Sequence, residues 1–229
     1  FKHLKCLQFL LLLLIGSHFF SCVYFNTFYN AETSYKKALK IIEESPIFDE
    51  QGLPAQAKKL LAGAIENSKV VLNKFPDSKY VDDALYIIAT SSFLRDEAAI
   101  AESYYNQLLR DHPNSKFYSL SEIWLVYTHL RMGMLDTARY EIEAIQANSP
   151  KGGEKLYLIH NILAEIAIED ENIDTIYFHY EKAAEYATSK SKKISTFGKL
   201  VLIAETNQDK VKASEYLVSL GKVAPDKIR

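Results

Sequence analysis

The sequence of 229 residues predicts an all-α fold, an α-solenoid of about five helical hairpins, and three observations carry that prediction. A short phrase repeats: Phe75-Pro76-Asp77-Ser78 returns as His112-Pro113-Asn114-Ser115, and Pro150 follows 37 positions after Pro113. Alanine keeps the same rhythm, since Ala64, Ala101, Ala138 and Ala213 each stand 12 residues ahead of Pro76, Pro113, Pro150 and Pro225. Between successive prolines lie two amphipathic segments, such as Lys79 to Leu94 and Glu97 to Asp111, split by the polar pair Arg95-Asp96. A small residue is wanted where two helices cross closely, and proline where a helix has just stopped. Each pair of segments therefore predicts a hairpin that cannot bury its apolar faces alone and must stack on its neighbours.

Taken in order, the chain opens with Lys2, His3 and Lys5, then an apolar run from Phe9 to Ile15, then Gly16, Ser17 and Ser21-Cys22. Basic residues, an apolar core and small residues in that order are the signature of an export signal. The segment resembles a bacterial lipoprotein signal, which implies removal of residues 1–21 and acylation of Cys22 as the first residue of a helical repeat domain over 22–229. An uncleaved membrane anchor over Leu7 to Phe25 is the alternative, against which Gln8, Ser17, His18 and Ser21 interrupt the run. Val23 follows the cysteine where enterobacterial lipoproteins kept at the inner membrane carry aspartate, so the resemblance implies the periplasmic face of the outer membrane. The only cysteines are Cys6 and Cys22, which leaves the processed chain no internal disulfide.

After the signal, Phe28, Ala31, Tyr35, Ala38, Leu39 and Ile42 predict one packed helix face, in preference to aromatic rings lying at lipid headgroups. Ser45 to Pro54, with two prolines and a glycine, is expected to be a loop, and Gln56 to Phe75 resumes the helical pattern. In the second unit Tyr80, Ala84, Ile87, Ile88 and Ser91 recur at helical spacing, followed by Ala101, Tyr104, Tyr105 and Leu108. The fourth and fifth units run from about Gly152 to Thr188 and from Ser191 to Pro225. Between them Lys190, Lys192 and Lys193 are expected on a solvated turn.

These residues resemble the tetratricopeptide repeat (TPR), a family of stacked helical hairpins forming a right-handed superhelix. With Pro113 at repeat position 32, the family's small position 8 reads Ala89, Val126, Ala164 and Val201, and position 20 reads Ala64, Ala101, Ala138, Ile176 and Ala213. Position 27 gives Val71, Leu108, Ile145, Ala183 and Leu220. Glu122, Ile176 and Thr188 depart from the pattern, and the spacing of 37 exceeds the family's usual ~34. First helices that start early are the expected reason.

Composition narrows the function. A formal net charge of −2 weighs against a nucleic-acid role. No Gly-rich phosphate loop, GxSxG or CxxC pair is present, and His112, His129, His160 and His179 have no second ligand one helical turn away. His160 and His179 fall on the two helices of one unit, close enough in register to meet. Glu165, Glu169, Asp170 and Glu171 read as a polar helix end rather than a catalytic pair. The expectation is a non-enzyme with no catalytic residue, metal or cofactor; the oligomeric state is not encoded in any readable pattern.

What remains is the concave face, which the resemblance places on the first helix of each unit. Carried over residue by residue, it implies a partner-binding groove of Tyr86, Ile87, Thr90 and Phe93, then Ile123, Trp124, Tyr127 and Arg131, then Asn161, Glu165, Glu169 and Lys199. Aromatic and arginine side chains most often dominate binding energy; the competing reading has Trp124 and Tyr127 merely filling the space between units. The whole arrangement is similar to the outer-membrane protein assembly lipoproteins of the BamD type. That resemblance implies a lipid-anchored, periplasm-facing scaffold that holds protein partners of the β-barrel insertion machinery. The alternatives are an adaptor recruiting a cell-wall hydrolase and a carbohydrate-binding lipoprotein of an uptake system.

Overall fold

The computed structural model describes residues 26–45, 52–148 and 151–224. The signal segment, Cys22 and two of the repeat prolines, Pro150 and Pro225, lie outside them. Among the described residues the chain is all-helical: α1 (26–44), α2 (Ala55–Lys74), α3 (Val81–Leu94), α4 (Ala98–Asp111), α5 (Tyr118–Arg131), α6 (Leu135–Ala147), α7 (Gly153–Glu169), α8 (Ile173–Tyr186), α9 (Lys190–Thr206) and α10 (Lys210–Val223). From α2 onward each helix packs on the next, and the first helices α3, α5 and α7 also pack side by side, which is the stacking of hairpins into a solenoid.

The alanine rhythm fixes the packing. Ala64, Ala101, Ala138 and Ala213 are all buried, as is Ile176 in the fourth unit. Position 8 behaves alike, with Ala89, Val126, Ala164 and Val201 buried. Small side chains at these two positions let the paired helices approach; Tyr105, Leu108, Ile142 and Tyr180 then fill the space on either side. The α1 face matches its sequence pattern: Phe28, Ala31 and Ala38 are buried, and Phe28 stacks on Tyr80 with ring centroids 4.2 Å apart. Its other end reaches far along the chain, where the Ser191 hydroxyl at the start of α9 donates to the Glu43 carbonyl.

Two kinds of turn repeat. Inside the second to fifth hairpins a residue in the left-handed region ends the first helix: Asp96 (φ 65), Gly133 (φ 77), Glu171 (φ 54) and Gln208 (φ 58). The next N–H in each case reaches back five residues, from Glu97 to Ser92, Met134 to His129, Asn172 to Ala167 and Asp209 to Ala204, at 2.9–3.0 Å. This is a Schellman closure, in which the left-handed residue lets orphan carbonyls find donors. Between hairpins the repeated Pro-x-Ser phrase makes a second closure. Ser78 and Ser115 N–H donate to the Phe75 and His112 carbonyls at 3.0 Å, and their hydroxyls accept from the Tyr80 and Phe117 N–H at 2.9 and 3.1 Å.

Two expectations change. The long spacing comes from early helix starts only in the last two units, where α7 and α9 are 17 residues long. In the second and third units α3 and α5 are 14 residues, and the extra length sits in the serine-closed turns 75–80 and 112–117. The lysine run also is not a turn. Lys190, Lys192 and Lys193 form the first turn of α9, because the Ser189 side chain caps it by accepting from the Lys192 N–H. Lys192 is engaged as well, paired with Glu154 of α7 and lying 5.2 Å over the Tyr157 ring.

Candidate functional site

The predicted groove residues lie on α3, α5, α7 and α9, and ring contacts and hydrogen bonds join several of them. The aromatic half joins α3 to α5. Phe93 meets Trp124 edge-on at 5.0 Å and Tyr127 at 5.1 Å, while Trp124 stacks on Tyr127 at 5.9 Å. Tyr86 stacks on Phe117 at 4.3 Å. The polar half joins α5 to α7 and α9: the Tyr127 hydroxyl donates to Glu165 at 2.5 Å, and the Lys199 ammonium donates to the same carboxylate at 3.4 Å. Lys199 also lies 5.0 Å over the Tyr180 ring. One carboxylate thus ties three consecutive first helices.

Burial divides the residues. Ile123 is fully buried in a core that α5 shares with α6 and α7, and Thr90 and Asn161 are buried as well. Thr90 exchanges a hydrogen bond with the Tyr105 hydroxyl at 2.9 Å, and Asn161 donates to the Tyr157 carbonyl at 2.8 Å. Ile87 and Tyr86 are buried as well, Ile87 against α1 and α2. None of these five can be touched by a partner without repacking; their work is to hold the first helices together. Phe93, Trp124, Tyr127 and Glu165 are half-buried, each presenting an edge, and Arg131 and Glu169 are exposed. The Arg131 guanidinium pairs with Asp96 of the preceding unit at 3.0 Å.

The tyrosines are locked in the neutral form. Burial pushes the Tyr86 phenol up to about 12. Burial first, and then the Glu165 charge, hold Tyr127 well above the usual tyrosine range, so it stays a hydrogen-bond donor to that carboxylate. Tyr35 of α1 and Tyr105 are raised too, chiefly by burial, and both turn their hydroxyls to Thr90.

Histidines gain partners from other helices, which spacing along one helix could not reveal. Buried His129 lies between Glu141 of α6, 2.7 Å from Nδ1, and Glu102 of α4, 3.4 Å from Nε2. His160 and His179 do meet, with their Nδ1 atoms 3.0 Å apart. Among the described residues no group of three His, Cys, Asp or Glu side chains is placed to hold a metal ion. No described helix is long and apolar enough to cross a membrane.

Residues 83–115, which run from α3 through α4 and the second serine-closed turn, match the tetratricopeptide repeat family. That hairpin is a tetratricopeptide repeat. The third to fifth hairpins are TPR-like: they repeat its left-handed turn and, Ile176 apart, its buried alanine. No curated protein matches the chain significantly. Two solved structures of similar arrangement are a MamA double mutant of strain RS-1 (ArsTM) and MamA from residue 41 to its end from Desulfovibrio magneticus RS-1. They share 14% and 15% identity with TM-scores of 0.49 and 0.46, each alignment covering 85% of this chain and 94% of the other.

Proposed function

We propose that the protein is a scaffold that binds a protein partner on its concave face, across the half-buried edges of Phe93, Trp124 and Tyr127 with Arg131 at the rim. The observation that carries this reading is the division of that face. Ile123 is buried in one cluster with Trp124 and Tyr127, whose half-buried rings, with Phe93, still meet solvent. Such a surface is largely preformed, so it captures a helix or extended segment without a large ordering cost. A protein segment fits better than a sugar, because Trp124 and Tyr127 stack on one another instead of leaving an open ring face. Catalysis has no support in the arrangement of the carboxylates and histidines, and we take the protein to be a non-enzyme.

The cellular setting belongs to the same proposal. Acylation at Cys22 would tether the solenoid to the periplasmic face of the outer membrane, where partners of the barrel-assembly class are within reach. Two of its parts are tested together by placing a photo-crosslinking residue at Arg131 or, as a control, at Tyr140 of α6, which is 76% exposed on a second helix. The probe is introduced into the full chain in its own host, beside Cys22→Ser. Adducts from position 131 that position 140 does not give would support the groove; equal or absent labelling would sink it. Release of the Cys22→Ser protein from membranes would support the anchor, and unchanged membrane retention would count against it.

A further inference from the structure

The α7–α8 hairpin holds a pair of imidazoles that the proposed scaffold does not use. His160 on α7 and His179 on α8 face each other with Nδ1 atoms 3.0 Å apart, ring centroids 5.2 Å apart and ring planes at 36°. Each ring has an aromatic neighbour. Tyr186 stacks on His160 at 5.5 Å and 11°, and Phe178 meets His179 edge-on at 5.0 Å. Both rings are only half-buried, so protons exchange with solvent, and each keeps an aromatic contact that favours the orientation seen.

A nitrogen pair at that distance has one stable arrangement: one Nδ1–H donates to the lone pair of the other Nδ1. With both nitrogens protonated, two N–H groups and two positive charges would face each other across 3.0 Å. We propose that the α7–α8 hairpin is an acid-opened joint, held shut by a single proton shared between His160 and His179. The charges acting on His160 come from α8 alone, where Lys182 opposes its protonation and Glu185 favours it. Lys182 and Glu185 are ion-paired at 2.8 Å, which largely cancels them. No charged group on α5, α6 or α9 acts on either ring among the described residues.

The direction of the effect follows. Burial, and then the neighbouring His179, lower His160 to about 4, and burial lowers His179 as well. A histidine depressed in the fold binds protons more tightly when unfolded. Its contribution is therefore complete above the unfolded value of about 6.5 and disappears as pH falls toward 4. The joint is independent of what the concave face binds.

Thermal melts of the full chain at pH 7.0, 5.5 and 4.5, run beside His179→Gln, test it. The glutamine can still accept from His160 but adds no second charge. The wild type should lose more melting temperature than the variant between pH 7.0 and 4.5, by roughly 5 °C. Parallel loss in the two proteins would overturn the proposal. Should the variant fail to fold, hydrogen exchange of the wild type decides: at pH 4.5, after correction for intrinsic rates, α7 and α8 amides should open before those of α3 and α4. Equal protection of the two hairpins overturns it as surely.

Discussion

The second and third hairpins start their first helices in one way, and the fourth and fifth in another. In the earlier pair a proline stops the preceding helix, and the serine hydroxyl two residues later closes the turn before a 14-residue helix. In the later pair α7 and α9 run for 17 residues; ahead of the fifth unit Thr188 stands in place of the proline, and the N-terminus of α9 is held by the Ser189 side chain. Side-chain caps of this kind also start α8 and α10, through Asn172 and Asp209, whereas none is made at α2 to α7. The difference teaches that the repeat conserves the crossing of the two helices and leaves the means of starting them open. Alanine at the crossing recurs in both halves; the turn chemistry does not.

Four substitutions sharpen that contrast. The largest effect should come from the shared feature: Ala101→Leu overpacks a fully buried crossing and should cost about 1–3 kcal/mol in urea unfolding. A neutral result would mean that the register is wrong. Ser189→Ala should cost about 1 kcal/mol. It removes the cap from a helix whose first turn carries Lys190, Lys192 and Lys193, charges of the wrong sign for a helix N-terminus. Hydrogen exchange should then show α9 fraying at its start with α3 unaffected, and fraying of both would mean the two kinds of start are not separable. The smallest effect is a gain. Glu171→Gly relieves a left-handed residue at the turn where the third hairpin already has Gly133, and should raise stability by about 0.5 kcal/mol in thermal melts. The reverse change, Gly133→Ala, should lower it, and matching signs for the two would refute the strain.

Much of this was legible in the sequence, because the signals that spell a hairpin are local. Alanine at position 20, proline and serine after the second helix and the 37-residue rhythm marked the second and third units, and the fourth and fifth were read by the same spacing despite Ile176 and Thr188. The groove was legible only as a set of positions. Periodicity tells which residues share a face of one helix, and says nothing of how deeply the adjacent helices cover that face. Ile123 and Thr90 therefore looked equivalent to Trp124 and Arg131, although α6 and α7 enclose Ile123, Tyr35 of α1 and Tyr105 of α4 meet Thr90, and the other two are left at an edge. The lysine run misled for a related reason. Composition suggests a solvated turn, and it takes the capping bond of Ser189 to show that the helix has already begun. Left-handed residues at Asp96, Glu171 and Gln208 gave no warning, since only Gly133 advertises that conformation.

The bond between Ser191 and Glu43 alters how such an array comes apart. A row of hairpins joined only to nearest neighbours can peel from either end, one unit at a time. Here a contact spanning 148 residues of chain clasps the first helix to the last hairpin, so the row has the connectivity of a loop. Peeling from either end then breaks this bond as well as a nearest-neighbour interface, so the two ends are coupled by about the worth of one hydrogen bond.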